Sequence, residues 1–187
     1  RQIRLKNIDI DYKNNVSTFY TLAKLTNVEV LVKESDLNRQ RIVLENLRMT
    51  GVNAGVLMGK APPARLVAEK AKKEVQDISS NNWYLAVNDL RLQNSSVQFD
   101  DQNMPRQPKT LDYGHLKADD INIQVSQMVM NLDADSITAN VQQTAVSEQC
   151  GFTLQQLKGN FLYTSKKAYA QDLLVQTPGT VIKHTIE

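Results

Sequence analysis

The chain has 187 residues, 41% hydrophobic and 22% charged, with a net charge of +2, which is the makeup of one globular domain or two small ones. That charge is too small and too evenly spread for a nucleic-acid binder. Seven glycines and five prolines exclude collagen-like or low-complexity character.

From Ile3 to Val56 the alternation of Val, Ile, Thr, Leu and Tyr with polar residues predicts four or five strands. Turn signals fall at Lys13-Asn14-Asn15, near Lys24, at Lys33-Glu34-Ser35 and around Thr50-Gly51. Pro62 and Pro63 then open a different pattern. Val67, Ala71, Val75 and Ile78 share one helical face, and Pro63 suits a first helical turn, so a short helix is expected at about 63–78. Strands resume at Trp83, Leu85 and Val87, pass a polar loop from Asp100 to Thr110, and continue to a last turn at Pro178-Gly179. A change of parity at Ser126-Gln127, between Ile121, Ile123, Val125 and Met128, Met130, Leu132, predicts a short hairpin. The total is roughly twelve strands and one helix, without strand–helix alternation, so the expected fold is all-β with an antiparallel sheet. Three segments follow: a β-repeat segment over 1–60, a helical insert or linker over 61–82, and a second β-repeat segment over 83–187.

One short phrase recurs six times: apolar, any residue, Asn or Asp, apolar, any residue, apolar. It runs over Leu5–Ile10, Leu25–Val30, Leu44–Met49, Val87–Leu92, Ala118–Ile123 and Ala170–Val175. The last two apolar positions alternate as a half-buried strand requires, but the first precedes them by three residues. An extra residue or a corner at the Asn or Asp restores the phase, and those residue types tolerate unusual dihedrals. A repeated device of this kind points to an elongated, stacked architecture: a curved sheet, open groove or half-pipe.

No catalytic constellation accompanies it. His115 and His184 stand far apart, without metal-ligand spacing, and are expected to be ordinary surface or edge residues. Cys150 cannot form an internal disulfide, fits a reducing or oxidising compartment, and is expected as a small core residue. Asp100-Asp101-Gln102-Asn103 and Asp133-Ala134-Asp135 lack the glycine-bearing loop of a calcium site and are expected in turns. A carbohydrate hydrolase using Asp119 or Asp120 with Asp133 is the enzymatic alternative. Asn15-Val16-Ser17 and Asn94-Ser95-Ser96 match the glycosylation acceptor pattern. The overall expectation is a protein that is not an enzyme and has no cofactor or metal. The longest uncharged apolar stretch, Val52 to Met58, is far shorter than the roughly 20 residues that span a bilayer. The sequence opens inside a strand pattern without Met, and we read it as part of a longer protein.

The apolar face of such a sheet needs a cover: a second sheet, a curled barrel, or a ligand lying in a bent gutter. An aliphatic lining suits acyl chains, at about 0.8 kcal/mol per buried methylene, and suits a closed core equally well. Its residues are Ile8, Ile10, Val28, Val30, Leu47, Met49, Leu90, Leu92, Ile121, Ile123, Leu173 and Val175. A closed β-sandwich acting as a surface-binding or adhesion module is the alternative.

The stretch from Asn82-Trp83 to Ile182-Lys183 resembles the strand repeats of the TamB group (translocation and assembly module proteins) within the AsmA-like envelope proteins, nearest to the variant of Bacteroides-like bacteria. The matching phrases are Trp83 to Asn94, Val97 to Asp101, Leu111 to Leu116, Gly151 to Leu154 and Leu173 to Pro178. The first sixty residues match only through the recurring phrase, and the 62–78 insert has no counterpart in the family pattern. The resemblance implies a periplasmic, cell-envelope protein anchored in the inner membrane. It implies a role in outer-membrane biogenesis, by phospholipid transport or by assembly of outer-membrane proteins. Its partners would be phospholipid acyl chains or outer-membrane protein strands.

Overall fold

The computed structural model describes residues 1–14, 18–60, 82–107 and 111–186. The helix expected at 63–78, nearly all of the 61–82 insert and the Asn15 acceptor pattern lie outside these. Among the described residues 77% are in strands and none is in a helix. In chain order the strands are β1 (Gln2–Asn14), β2 (Phe19–Asp36), β3 (Arg41–Met58), β4 (Tyr84–Asp101) and β5 (His115–Asn131). They continue with β6 (Ser136–Glu148), β7 (Thr153–Leu154), β8 (Gln156–Thr164), β9 (Ala168–Gln176) and β10 (Val181–Ile186).

All ten belong to one sheet, in the order β1-β2-β3-β4-β5-β6-β8-β9-β10, with β7 beside β6. The sheet is open rather than closed into a barrel. Eight steps along this path, at about 4.8 Å between neighbours, give a body roughly 38 Å long across the strands. Every pair of strands in extensive contact is a hydrogen-bonded neighbour pair, so no second sheet lies over either face among the described residues.

The expectation of an antiparallel sheet holds at every pairing but one. β3 and β4 run parallel, with a constant offset from Arg41↔Tyr84 to Met58↔Asp101. This pairing joins residues from before and after the 61–82 insert in one sheet. It also stacks the third and fourth copies of the phrase residue on residue: Leu44 on Val87, Asn46 on Asp89, Leu47 on Leu90 and Met49 on Leu92.

Ten strands replace the expected twelve because several predicted turns are creases inside long strands. Lys24 pairs with Asn53 in mid-strand, and Thr50 pairs with Asn27. The turn assigned to Lys33-Glu34-Ser35 falls later, at Leu37–Gln40, where Gln40 N–H donates to the Leu37 carbonyl at 3.2 Å. Asp36 caps this turn through Arg39 N–H at 3.0 Å. The hairpin expected at Ser126-Gln127 is instead a bulge in β5. Gln127 has a φ of 53°, and the register against β6 shifts between Ser126 and Val129. One left-handed residue moves the apolar residues to the other parity just as a hairpin would. The last turn falls as expected: Thr177 N–H bonds the Thr180 carbonyl at 2.9 Å.

The creases follow the recurring phrase. Asn7, Asp120 and Asp172 are left-handed, with φ of 52°, 54° and 53°. Elsewhere a neighbour takes that role. Gly51 (64°) and Asn94 (49°) lie level with Asn7, since Lys6↔Asn27↔Thr50↔Gln93 is the adjoining row. In the third copy Leu31 pairs with Asn46 but Val32 with Leu44, which leaves Glu45 as the extra residue. Polar side chains satisfy the displaced backbone: Asn122 Oδ1 accepts from Asn94 N–H at 3.1 Å, and Asn122 Nδ2 donates to the Asp120 carbonyl at 2.9 Å.

Gln127 permits a test of this account. An exposed Gln held in the left-handed region costs about 1 kcal/mol that glycine does not, whereas glycine elsewhere in a strand destabilises. Gln127→Gly is expected to stabilise the protein by about 1 kcal/mol in urea unfolding, and Gln124→Gly on the same strand to destabilise it by about as much. The same sign for both would remove the bulge as the cause.

Candidate functional site

The crease lets one side of the sheet stay aliphatic from end to end of each strand. On one flank of it, the cross-strand rows read Ile3–Val30–Leu47–Leu90–Val125–Val141 and Leu5–Val28–Met49–Leu92–Ile123–Thr144. On the other flank the parity has changed, and Ile10–Ala23–Ala54–Val97–Ala118 and Tyr12–Thr21–Val56–Phe99–Leu116 carry the apolar side. The opposite face is polar behind these floor rows and turns apolar toward one end of the strands, in the row Val43–Ala86–Val129–Thr138–Leu162. Its polar rows read Arg4–Glu29–Arg48–Arg91–Gln124–Gln143 and Asn46–Asp89–Ser126–Asn140–Asn160–Gln171. Asp89 anchors that face between Arg91 (3.1 Å) and Arg48 (3.5 Å).

The sheet is open and curved. Val87 is 2% exposed and Ile121 6%, although no second layer covers them among the described residues. Ala86, next to Val87 and on the other face, is likewise only 6% exposed. Few side chains are so enclosed, and most of the lining remains half-buried. We take the aliphatic side of this curved, open sheet as the inside of a trough.

Of the twelve residues expected to line it, Val28, Ile121 and Leu173 are buried. Ile8, Val30, Leu47, Met49, Leu90, Leu92, Ile123 and Val175 are half-buried, and Ile10 is exposed on the edge strand. Seven of them, Val28, Val30, Leu47, Met49, Leu90, Leu92 and Ile123, come together in the two rows of the trough floor. Leu173 and Val175 lie at the far end, where Leu157–Val175–Ile182 forms a row of its own. The expectation missed Val125, Val141, Val52, Val97 and the row Leu44–Val87–Met128. Their signal was present, since each continues the apolar alternation once the crease is allowed for.

Two polar residues are buried with them: Thr144, 8% exposed, ends one floor row, and Ser95 sits at the crease. Ser95 is 2% exposed; its hydroxyl donates to the Gln93 carbonyl at 2.9 Å and accepts from Val52 N–H at 3.2 Å. It closes the backbone at the crease and offers nothing to a ligand.

Two expectations about chemical side chains need correction. His115 is not an ordinary edge residue: its side chain is 7% exposed, with Nδ1 3.0 Å from Asp112 and Nε2 3.4 Å from Asp100. Arg106 reaches Asp100 at 3.3 Å, so the group ties the β4–β5 loop to the ends of both strands. Cys150 is exposed in the turn after β6 rather than in a core, because that turn leaves its side chain beside Glu148. The Glu148 carboxylate also pushes the thiol up from its usual value.

His184 is exposed on β10. Asp101 caps the Asn103 N–H at 2.9 Å in a turn, and Asp135 does the same for Ser165 at 3.1 Å. Asp119 and Asp120 are separated from Asp133 by the floor segment 121–126 and the rest of β5. No group of three or more His, Cys, Asp or Glu able to hold a metal occurs among the described residues.

The backbone N–H of Gln107, followed by His115 and Gly114 N–H, holds the Asp112 carboxyl below its usual range. A lowered folded value means stability that is present above the unfolded value and lost as pH falls through the folded one. Asp112→Asn is therefore expected to destabilise the protein at pH 7, with the gap from wild type closing as pH falls through the carboxyl's lowered value. An unchanged gap at pH 2 in chemical unfolding would remove the carboxylate as its source.

Fold and rows together give an open, single-layer β-sheet with one largely aliphatic face among the described residues. A scan against models of protein families and a search among curated proteins find no match.

Proposed function

We propose that this chain is part of a non-enzymatic cell-envelope scaffold whose apolar trough carries hydrocarbon. Its work would be outer-membrane biogenesis, by phospholipid transport or by assembly of outer-membrane proteins. The observation that supports the reading is the pair of aliphatic rows running across up to six strands, half-exposed and without a covering layer among the described residues. Hydrocarbon needs only non-directional burial, worth about 0.8 kcal/mol per methylene, and these rows supply it over a length that a single acyl chain cannot exhaust. A lipid headgroup would stay at the strand ends, in water. A closed sandwich acting in adhesion would need a second sheet over this same face.

On the resemblance to the TamB-like repeats, such a scaffold works in the periplasm, with the whole protein anchored in the inner membrane. On this reading it uses no cofactor, and nucleic acid is not a partner.

Binding of a phospholipid with a fluorescent acyl chain tests the proposal. Leu47→Asp and Leu90→Asp, made separately, each place a charge on the half-buried floor. Each is expected to weaken binding at least about tenfold, or roughly 1.4 kcal/mol, with the circular dichroism of the strands retained. Arg48→Asp, one residue away on the polar face, is expected to leave binding unchanged. Equal binding by all four proteins would end the lipid reading.

A further inference from the structure

The parallel seam imposes a condition that no other pairing does. β3 ends at Met58, whereas β4 begins beside Arg41, at the opposite end of the strands. The chain between them has to return over the length of an 18-residue strand, about 56 Å. Fully extended, Gly59 to Trp83 reaches about 80 Å, enough for a direct return with little detour. The shortest way back lies across one face of the sheet.

Hydrogen bonds at the two ends of the seam decide which face. Tyr84 N–H donates to the Gln40 carbonyl at 2.9 Å, and Gln102 N–H donates to the Met58 carbonyl at 2.8 Å. Gly59 N–H turns the other way, to the Thr18 carbonyl at 2.7 Å. At both ends of β3, then, the even-numbered residues turn their backbone groups toward β4. These residues carry the aliphatic side: Ile42 and Leu44 before the creases, Val52, Ala54 and Val56 after them. In a strand of L-residues running upward, side chains aimed at the viewer have their N–H and C=O on the viewer's right. Seen from the aliphatic side, β4 therefore lies to the right of β3. A right-handed crossover, seen from the side on which it runs, also carries the chain to the right. Connections between parallel strands of one sheet take that hand in about 98% of cases.

We propose that the connection at residues 61–81, outside those described, crosses the sheet over the aliphatic side of β3 and β4. Its sequence suits that side. Leu66, Val67, Ala71, Val75 and Ile78 supply apolar surface to set against the rows, and Arg65, Lys70, Lys72 and Lys73 supply charge for water. The polar side would meet the same apolar residues with Arg48, Asp89 and Arg91. A single crossing lies over two strands and leaves the floor from β5 onward as described. The route is set by the seam and by chain chirality, whatever the trough carries.

Cross-linking between cysteines reads the route, in a Cys150→Ser background that removes the exposed native thiol. Ala71→Cys, midway along the connection, is combined with Met49→Cys or with Arg48→Cys, adjacent residues on opposite faces of β3. Leu92→Cys and Arg91→Cys give the same comparison on β4. The reagent is a bis-maleimide of about 10 Å, the spacing of packed layers. Ala71→Cys is expected to couple within one molecule to Met49→Cys and Leu92→Cys at least about tenfold faster than to Arg48→Cys and Arg91→Cys. Arg48 is more exposed than Met49, so accessibility alone favours the reverse order. Circular dichroism of the strands checks that each variant folds, and the β4 pair serves if a β3 variant does not. Faster coupling to the arginine positions sets the crossing on the polar side, and equal or absent coupling takes it off the sheet. Either result overturns the proposal, whether or not lipid binds.

Discussion

Gly51→Val is expected to lower stability by about 3 kcal/mol, seen as a fall of roughly 10 °C in Tm. Two independent causes add. Gly51 has a φ of 64°, which a β-branched residue adopts only at a cost of 1–3 kcal/mol or so. A Cβ there would also lie 2.5 Å from Thr26 Oγ1 and 3.0 Å from its Cβ, inside the crease. Gly179→Val is the control: nothing lies within 4 Å of the added Cβ, so Tm should hardly move. Thr26→Ala in the Gly51→Val background removes the Oγ1 contact but keeps the one to Cβ and the backbone cost, and should recover part of the loss. If Gly51→Val were as stable as wild type, the left-handed crease would not be a determinant of this fold.

Charge inserted at Val87 should behave differently from charge at Leu90, three residues along the same strand. Val87 is 2% exposed between Leu44 and Met128, so Val87→Asp buries an unpaired carboxylate and should cost about 3–5 kcal/mol. The carboxyl will partly relieve this by protonating, so the loss should shrink as pH falls. Leu90→Asp meets water on a half-exposed floor and should keep the fold while losing hydrocarbon binding. Urea unfolding at pH 7 and pH 4 reads the first effect and lipid binding the second. A closed core predicts unfolding by both substitutions. An open trough predicts unfolding by Val87→Asp alone.

Much of the geometry was legible in the sequence because it rests on local chemistry. The three-residue step in each phrase, with Asn or Asp inside it, marked the line where Asn7, Asp120 and Asp172 bend their strands. The floor residues Val30, Leu47 and Leu90 followed from simple alternation. Parity misled where two structures share it: Ser126-Gln127 reads the same as a hairpin or as a bulge, and Gln is not a residue that announces a left-handed conformation. Gly51 was read as a turn because glycine signals a positive φ without saying whether the strand then continues. The parallel pairing of β3 with β4 was hidden for another reason. Its register is set by partners 43 positions apart (Arg41↔Tyr84), beyond the reach of any local pattern. His115 was underestimated because Asp100 and Asp112 reach it only when the loop closes.

That lone parallel seam divides the molecule into two meanders, β1–β3 and β4–β10, each of which can zip from hairpin to hairpin through contacts close in sequence. Their union must instead wait for two distant stretches of chain to meet. The order of assembly is thereby written into the topology: two ribbons form quickly and one late suture joins them.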